Sequence, residues 1–361
     1  MRRFLASLAL AALTIGSAAA ETRNGPELVI ADNDYLGPGG SNIQSVIPLL
    51  NNPKLRVLGL TVVAGDDWEN AESARIRRFL EVSGHRDVPV YNGATQPLIN
   101  TVALTRLREQ QYGKLPWKGA WGGMGSMDRT PDTQPSVGQT PDGQPELQPQ
   151  GIPAALFMIQ QVHAHPHEVT IIEAGPMTNL ALAIRLDPSF AATAKQLVFM
   201  GGYLDLSMMS VTGNADNGSD FNLIFDPEAA HIALTAPWAR ITSVANVSND
   251  VMLSQSEVDA IGKGHKTPVT DYLSRFYVPL AMWDEVTSAI VAEPSLIIRS
   301  QDAYMDVEIG KGIGYGHAYV WPDALAPKTM GVRKVRIVQA IDVPRFKTLY
   351  AGWAQGFMGK H

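Results

Sequence analysis

Between residues 28 and 94 the chain alternates short apolar runs with helical segments, and this alternation constrains its fold more than any other feature. "LVIA" (28–31) suits a buried central strand. "SNIQSVIPLLNN" (41–52) carries apolar residues at helical spacing; Ser41 or Asn42 can cap it, and Pro48 weakens its middle. "LRVLGLTVVAG" (55–65) reads as a second strand, "WENAESARIRRFLEVSG" (68–84) as a helix that stops at Gly84, and "VPVYNGA" (88–94) as a third strand. Strand, helix, strand, helix, strand implies a parallel sheet with right-handed crossovers.

The alternation resumes after residue 152. "EVTIIEAG" (168–175), "QLVFMGGY" (196–203) and "RITSVAN" (240–246) read as strands, with helical "PAALFMIQQVHAHP", "MTNLALAIRLDP" and "DPEAAHIALTA" (226–236) around them. Residues 113–152 break the pattern, being rich in Gly, Pro and Gln without any period. Such a stretch is either a surface insertion or an active-site lid. Its C-terminal part fits a linker or a lid, whereas "KLPWKGAWGG" reads as a lid, since Trp117 and Trp121 would otherwise stand exposed without use. There is no repeat and no domain boundary. The expected fold is α/β, a mostly parallel Rossmann-like open sheet flanked by helices, in one domain over residues 21–361 with insertions.

The N-terminus, "MRRFLASLALAALTIGSAAA", has the basic start, short apolar run and small-residue end of a secretory signal cleaved after Ala20. Its apolar run is shorter than the roughly 20 residues that a membrane span needs. Export to a periplasm or to the medium is therefore expected, with no membrane span after cleavage. Removing residues 1–20 takes away two arginines and no acid, so the net charge of −6 becomes −8. That excess of acid disfavours nucleic acid as a partner. With no cysteine, disulfides and thiolate metal sites are excluded.

In open parallel sheets, ligands bind beyond the carboxyl ends of the strands. The polar residues there are Asp32, Asp34 and Asn42 after the first strand, Asp66 and Asp67 after the second, and Asn92 after the third. Further on come the carbonyl of Ala174, then Asn214, Asn217, Asp220 and Asn222, then Asn246, and finally Trp283 and Asp284. Each acid alone reads as a cap or an exposed strand end. As a set of carboxylates and amides, they suit a hard cation, Ca²⁺ or Mg²⁺, and the hydroxyls of a sugar.

"VIADND", "NNPKLRVLGLTVVAGD", "AGPMTNLALAIRLDP", "FMGGY" and "DFNLIFDPEAAHIAL" stand in an order and spacing that resemble the inosine–uridine-preferring nucleoside hydrolases, particularly secreted members, over residues 27–327. The resemblance implies a nucleoside N-ribohydrolase with one Ca²⁺ that binds the ribose hydroxyls and a water. It implies that Asp34 is both metal ligand and general base, that Asp284 and the Ala174 carbonyl are ligands, and that Asp32 supports Asp34. Asp220 and Asn222 would bind ribose, with Asn214 or Asn217 at the 5′-hydroxyl. Because relatives often form dimers or tetramers, a homo-oligomer is also among the expectations. The chain departs from the family at four places, one of them Asp220, which replaces the usual glutamate. A longer glycine-rich turn puts Ser41-Asn42 where adjacent aspartates usually stand, so Asn42 or Asp66 completes the metal site. Asp66 stands at a substrate-binding position that often holds asparagine. Trp283 replaces a histidine that helps the base leave. Trp117 and Trp121 would stack on the base. The alternatives are a nucleoside- or ribose-binding protein without turnover and a hydrolase of another N-glycoside.

Overall fold

The computed structural model describes residues 25–204 and 220–356. Its described strands are β1 (Glu27–Asn33), β2 (Leu55–Val62), β3 (Val90–Asn92), β4 (Val169–Glu173), β5 (Gln196–Met200), β6 (Ile241–Val244), β7 (Ile297–Val307), β8 (Ala318–Trp321) and β9 (Arg333–Ile341). They form one sheet in the order β3-β2-β1-β4-β5-β6-β9-β7-β8. From β3 to β9 every pairing is parallel; β7 runs antiparallel to both β9 and β8. The expected mostly parallel open sheet is therefore present, with an antiparallel edge that the strand pattern had not indicated.

Alternate residues of β1 enter different cores, as the two-residue period of a strand requires. Val29 and Ala31 pack on one face, against α2 (Ile47–Leu50), α3 (Glu69–Ser83), α10 (Gln255–Gly264), α11 (Pro268–Phe276), α12 (Trp283–Ala292) and α13 (Val343–Ala354). Leu28 and Ile30 pack on the other, against α5 (Ala154–Ala164), α6 (Thr178–Leu186), α7 (Phe190–Thr193) and α9 (Pro227–Thr235). A strand buried on both sides must be apolar throughout, which is why "LVIA" shows no alternation. Among the described residues, no helix is long and apolar enough to cross a membrane.

The segment expected as one helix over 41–52 is two, α1 (Ser41–Gln44) and α2, with Pro48 in the first turn of the second. Proline lacks the N–H that a continuing helix would need there. α3 ends as expected, at Gly84 in a left-handed conformation (φ 82°).

The C-terminal half of the 113–152 segment is hydrogen-bonded to the domain. Gln150 N–H bonds the Val90 carbonyl, Arg77 and Arg78 donate to the carbonyls of Leu147 and Asp142, and the Tyr272 hydroxyl donates to Asp142. Glu81 is the main fastener. Its Oε1 accepts the N–H groups of Glu146 and Leu147, both at 2.7 Å, and Arg78 donates to Oε2 at 2.9 Å. Burial alone would raise its carboxyl, but these donors hold it below the usual range. Hydrogen bonds to a charged group contribute about 1.5–3 kcal/mol, so Glu81→Ala should destabilise the fold by about 2–3 kcal/mol. Denaturant unfolding measures the loss, and a change below about 0.5 kcal/mol, the scale of an ordinary surface substitution, would refute the fastening role.

Candidate active site

β1 lies between β2 on one side and β4 on the other. The chain order reverses there, and a crevice opens at the carboxyl end of such a switch point. β1 runs out at that place with Asp32-Asn33-Asp34, all three buried.

Asp34 is held on both oxygens. Oδ1 accepts from the Asn42 amide at 2.9 Å, and Oδ2 accepts from the Asp66 N–H at 2.8 Å. Gly65 permits this approach, since a Cβ there would lie 2.2 Å from Asp34 Oδ2. Asn42 also reaches Asp66 Oδ2 at 3.2 Å and Asn33 Oδ1 at 3.3 Å. It thus turns its nitrogen, not its oxygen, toward the acids, and service as a metal ligand requires a half-turn of the amide.

Ser41 accounts for the end of the glycine-rich turn. Its hydroxyl accepts the Asp284 N–H at 2.8 Å and donates to Glu285 at 2.5 Å. This stitches α1 to the start of α12. Asp284 Oδ2 in turn accepts from Asn33 at 3.1 Å. Two segments some 240 residues apart in sequence are thereby joined beside Asp34.

Behind them, Asp32 Oδ1 accepts from Asn179 at 2.9 Å, while its Oδ2 and Glu173 Oε2 lack a conventional donor. The two residues are directly paired across β1 and β4. Asp32 is thus tied to α6 and β4 behind the strand end. On the next strands, Asp220 caps α8 (Phe221–Phe225) by accepting the Asn222 N–H at 3.0 Å. The Asn222 amide reaches the carbonyls of Ala174 and Met200 at 3.4 and 3.5 Å, which brings Ala174 and the α8 residues together.

Electrostatically the site is one-sided. Burial raises Asp34 well above the ordinary carboxyl range, and the charges of Asp66 and Asp284 add to it. Asp284 is raised by burial and then by Glu285, Asp66 and Asp220. Asp66 is pushed up to about 6 by burial, against hydrogen bonds from Trp117 and Asn42. Among the described residues, no lysine or arginine pairs with Asp34, Asp66 or Asp284. No three carboxylates or imidazoles there are grouped to hold a metal by themselves. A cation would instead complete its shell with neutral oxygens, the Ala174 carbonyl and amides, a donor set that suits a hard ion. Buried acids that repel one another and lack a cationic partner fit such an ion.

The remaining expected residues divide. Trp117 is at the site, its indole N–H donating to Asp66 Oδ1. Trp121 is not exposed, contrary to expectation: it is 1% accessible and packs against Phe225 with ring centres 4.5 Å apart. Its indole is core and has no free face for a base. Trp283 donates to Asn249 at 2.9 Å beside Asp284. Asn214 and Asn217 lie outside the described residues. Asp67 pairs with Arg75, Asn92 accepts from Ser73, and Asn246 donates to the Tyr203 carbonyl, so these three have local partners. The sequence reading passed over Asn33, Glu173 and Glu285. Glu173 ends β4 and would have been collected by the same strand-end rule that found Asp34.

Comparison with known proteins agrees with this architecture. The family profile described as inosine–uridine preferring nucleoside hydrolase matches residues 29–348. An uncharacterized protein of Schizosaccharomyces pombe is 34% identical over 340 residues, 88% of this chain and 82% of that protein. A probable uridine nucleosidase 2 of Arabidopsis thaliana is 30% identical over 247 residues, 68% of this chain and 67% of that one. The solved purine-preferring ribonucleoside hydrolase from Gardnerella vaginalis superposes with a TM-score of 0.69 at 18% identity, covering 93% of this chain and 100% of that one, which shows the shared fold. With the profile spanning most of its length, the chain belongs to the inosine–uridine preferring nucleoside hydrolase family.

Proposed function

We propose that this chain hydrolyses the N-glycosidic bond of ribonucleosides, releasing base and ribose, in a Ca²⁺-dependent reaction for which Asp34 is the general base. The observation that carries this reading is the cluster of acids at the switch point of the sheet, Asp34 and Asp284 buried and Asp66 half-buried, without a cationic partner among the described residues. Ca²⁺ would be held by Asp34, Asp284 and the Ala174 carbonyl, with Asn42 or Asp66 completing the shell, and would supply a polarised water and a grip on vicinal hydroxyls.

The chain's own groups do the rest. Asp34 removes the proton from the attacking water, and Asp32, fixed by Asn179, keeps the strand end in place. Breaking a ribosyl C–N bond passes through an oxocarbenium-like state, as in glycoside hydrolysis. Buried negative charge around the sugar stabilises that state more than the neutral substrate. Asp220 and Asn222 bind the ribose hydroxyls. The second reading, a binder without turnover, is favoured by one observation: the N–H of Trp283, the residue that replaces the leaving-group histidine in the resemblance, is already held by Asn249. We place the mature protein outside the cytoplasm, on the strength of its N-terminal signal pattern.

Asn222→Ala and Asp220→Asn, the latter keeping the helix cap, should each lower kcat and kcat/KM by about tenfold, the value of one good hydrogen bond. A rise in KM alone would mean that ground and transition states are bound equally. The reading itself is tested by calorimetry on metal-stripped protein. One Ca²⁺ should bind per chain, and ribose should bind only after it; protein that takes up no Ca²⁺ would contradict the proposal.

A further inference from the structure

The loop expected to act as a lid forms one wall of the crevice, seated by backbone hydrogen bonds on the chain that follows β2. Ala120 N–H bonds the Gly65 carbonyl at 2.9 Å, and Lys118 N–H bonds the Gly123 carbonyl at 3.0 Å. Gly119 adopts a left-handed conformation (φ 53°), and a Cβ on it would lie 2.0 Å from the Gly65 carbonyl oxygen, so only glycine allows this seat. The Lys118 side chain is buried within the loop, 3.2 Å from the Leu115 carbonyl and 3.5 Å from Glu109. Trp121 roots the loop in a small core with Trp68, Val102, Met127 and Phe225.

From this wall Trp117 reaches both halves of the crevice. Its ring meets Phe221, the neighbour of Asn222, edge-on at 6.4 Å. Its N–H donates to Asp66 Oδ1, while Asp66 Oδ2 accepts from Asn42 and the Asp66 N–H holds Asp34 Oδ2. Asp66 thus has one donor on each oxygen, and one of the two comes from the loop. Without it the carboxylate can rotate about its Cβ–Cγ bond and lose the orientation it presents to the sugar.

We propose that Trp117 is a positioning residue, which acts on ribose recognition by holding Asp66 through its indole N–H rather than by stacking on the base. The proposal rests on the nucleoside-hydrolase reading of the crevice. It separates from base stacking, because Trp117→Phe keeps an aromatic face, though a smaller one, and removes the donor. Stacking is largely a property of the ring, whereas positioning of Asp66 needs the hydrogen bond.

The test compares wild type, Trp117→Phe, Asp66→Asn and the double variant. The readouts are ribose affinity by calorimetry, kcat and KM for uridine and inosine, and the indole N–H signals in nitrogen-15 NMR. Expected is a loss of about tenfold in ribose affinity for Trp117→Phe, matched for both nucleosides, with little further loss on the Asp66→Asn background. The indole signal that Trp117→Phe removes should also shift in Asp66→Asn. Ribose affinity within twofold of wild type in Trp117→Phe, or a Trp117 signal unmoved by Asp66→Asn, would overturn the proposal. The NMR arm needs no turnover, and resonance assignment of the wild type identifies the Trp117 indole signal even where Trp117→Phe does not fold: a wild type inactive on nucleosides would sink the functional reading, while the response of that signal to Asp66→Asn still decides the coupling.

Discussion

Replacing Asp34 with asparagine should lower kcat by at least about a hundredfold while leaving the chain folded. A general base contributes typically about 10²–10⁴-fold, and Asp34 is the acid at the strand end with its carboxylate fixed on both oxygens. The fold should tolerate the change because the carboxylate is a source of strain there. Its proton affinity is raised by burial and by Asp66 and Asp284, so removing its charge relieves repulsion. Asparagine keeps the size, and its oxygen can still accept from one of the two donors. Rates at saturating Ca²⁺, together with melting curves in chelator, check both halves. Activity within tenfold of wild type would remove Asp34 from the mechanism, and a large drop in melting temperature would mean that its charge stabilises the fold.

The second large effect is a linkage between pH, Ca²⁺ and stability. Asp34, Asp284, Glu72 and Glu173 are all raised well above the carboxyl range, each chiefly by burial and then by neighbouring acids. Burial likewise lifts Asp66 to about 6 and Glu285 to about 8. A carboxyl whose folded value is raised favours the fold while it is protonated. Its contribution is complete below the unfolded range near pH 4 and is lost as pH rises through the folded value. Metal-free protein should therefore melt at a temperature lower by about 5–10 °C at pH 8 than at pH 5. Ca²⁺ should flatten that slope, since it binds the deprotonated acids more tightly as pH rises. At a hundred times its dissociation constant a ligand adds about 2.7 kcal/mol. Melting curves across this range, with chelator and with saturating Ca²⁺, check the sign. Parallel curves in the two conditions would show that no cation binds among these acids.

The parallel part of the fold was legible because central strands are apolar throughout and end abruptly in polar residues. The strand-end rule collected Asp32, Asp34, Asp66, Asp220, Asn222 and Asp284, and the fold does bring these together. The antiparallel edge was not legible. β7 alternates only in its second half, where Ala303, Met305 and Val307 are buried, while its first half leaves Ile298 exposed among polar residues, so its sequence announces no partner. Helix α4 (Val102–Tyr112) leaves Leu104 and Leu107 exposed, which blurs its apolar stripe. The seating of the 113–152 segment over α3 was hidden because on its own side many of the bonds are made by backbone groups, met by side chains such as Glu81, Arg77 and Arg78 that lie far away in sequence. Trp117 and Trp121 show a further limit. They lie four residues apart in one loop, yet one reaches Asp66 and the other fills a core, and residue type alone cannot tell them apart.

The central claim is that this crevice breaks ribosyl C–N bonds. The most direct measurement is the appearance of free ribose from uridine and from inosine, by a reducing-sugar assay on the mature protein, with Ca²⁺ and then with chelator. The account predicts ribose from at least one nucleoside with Ca²⁺, its loss with chelator, and its return when Ca²⁺ is restored. Saturable nucleoside binding with no ribose released under any of these conditions would contradict it and identify the protein as a binder.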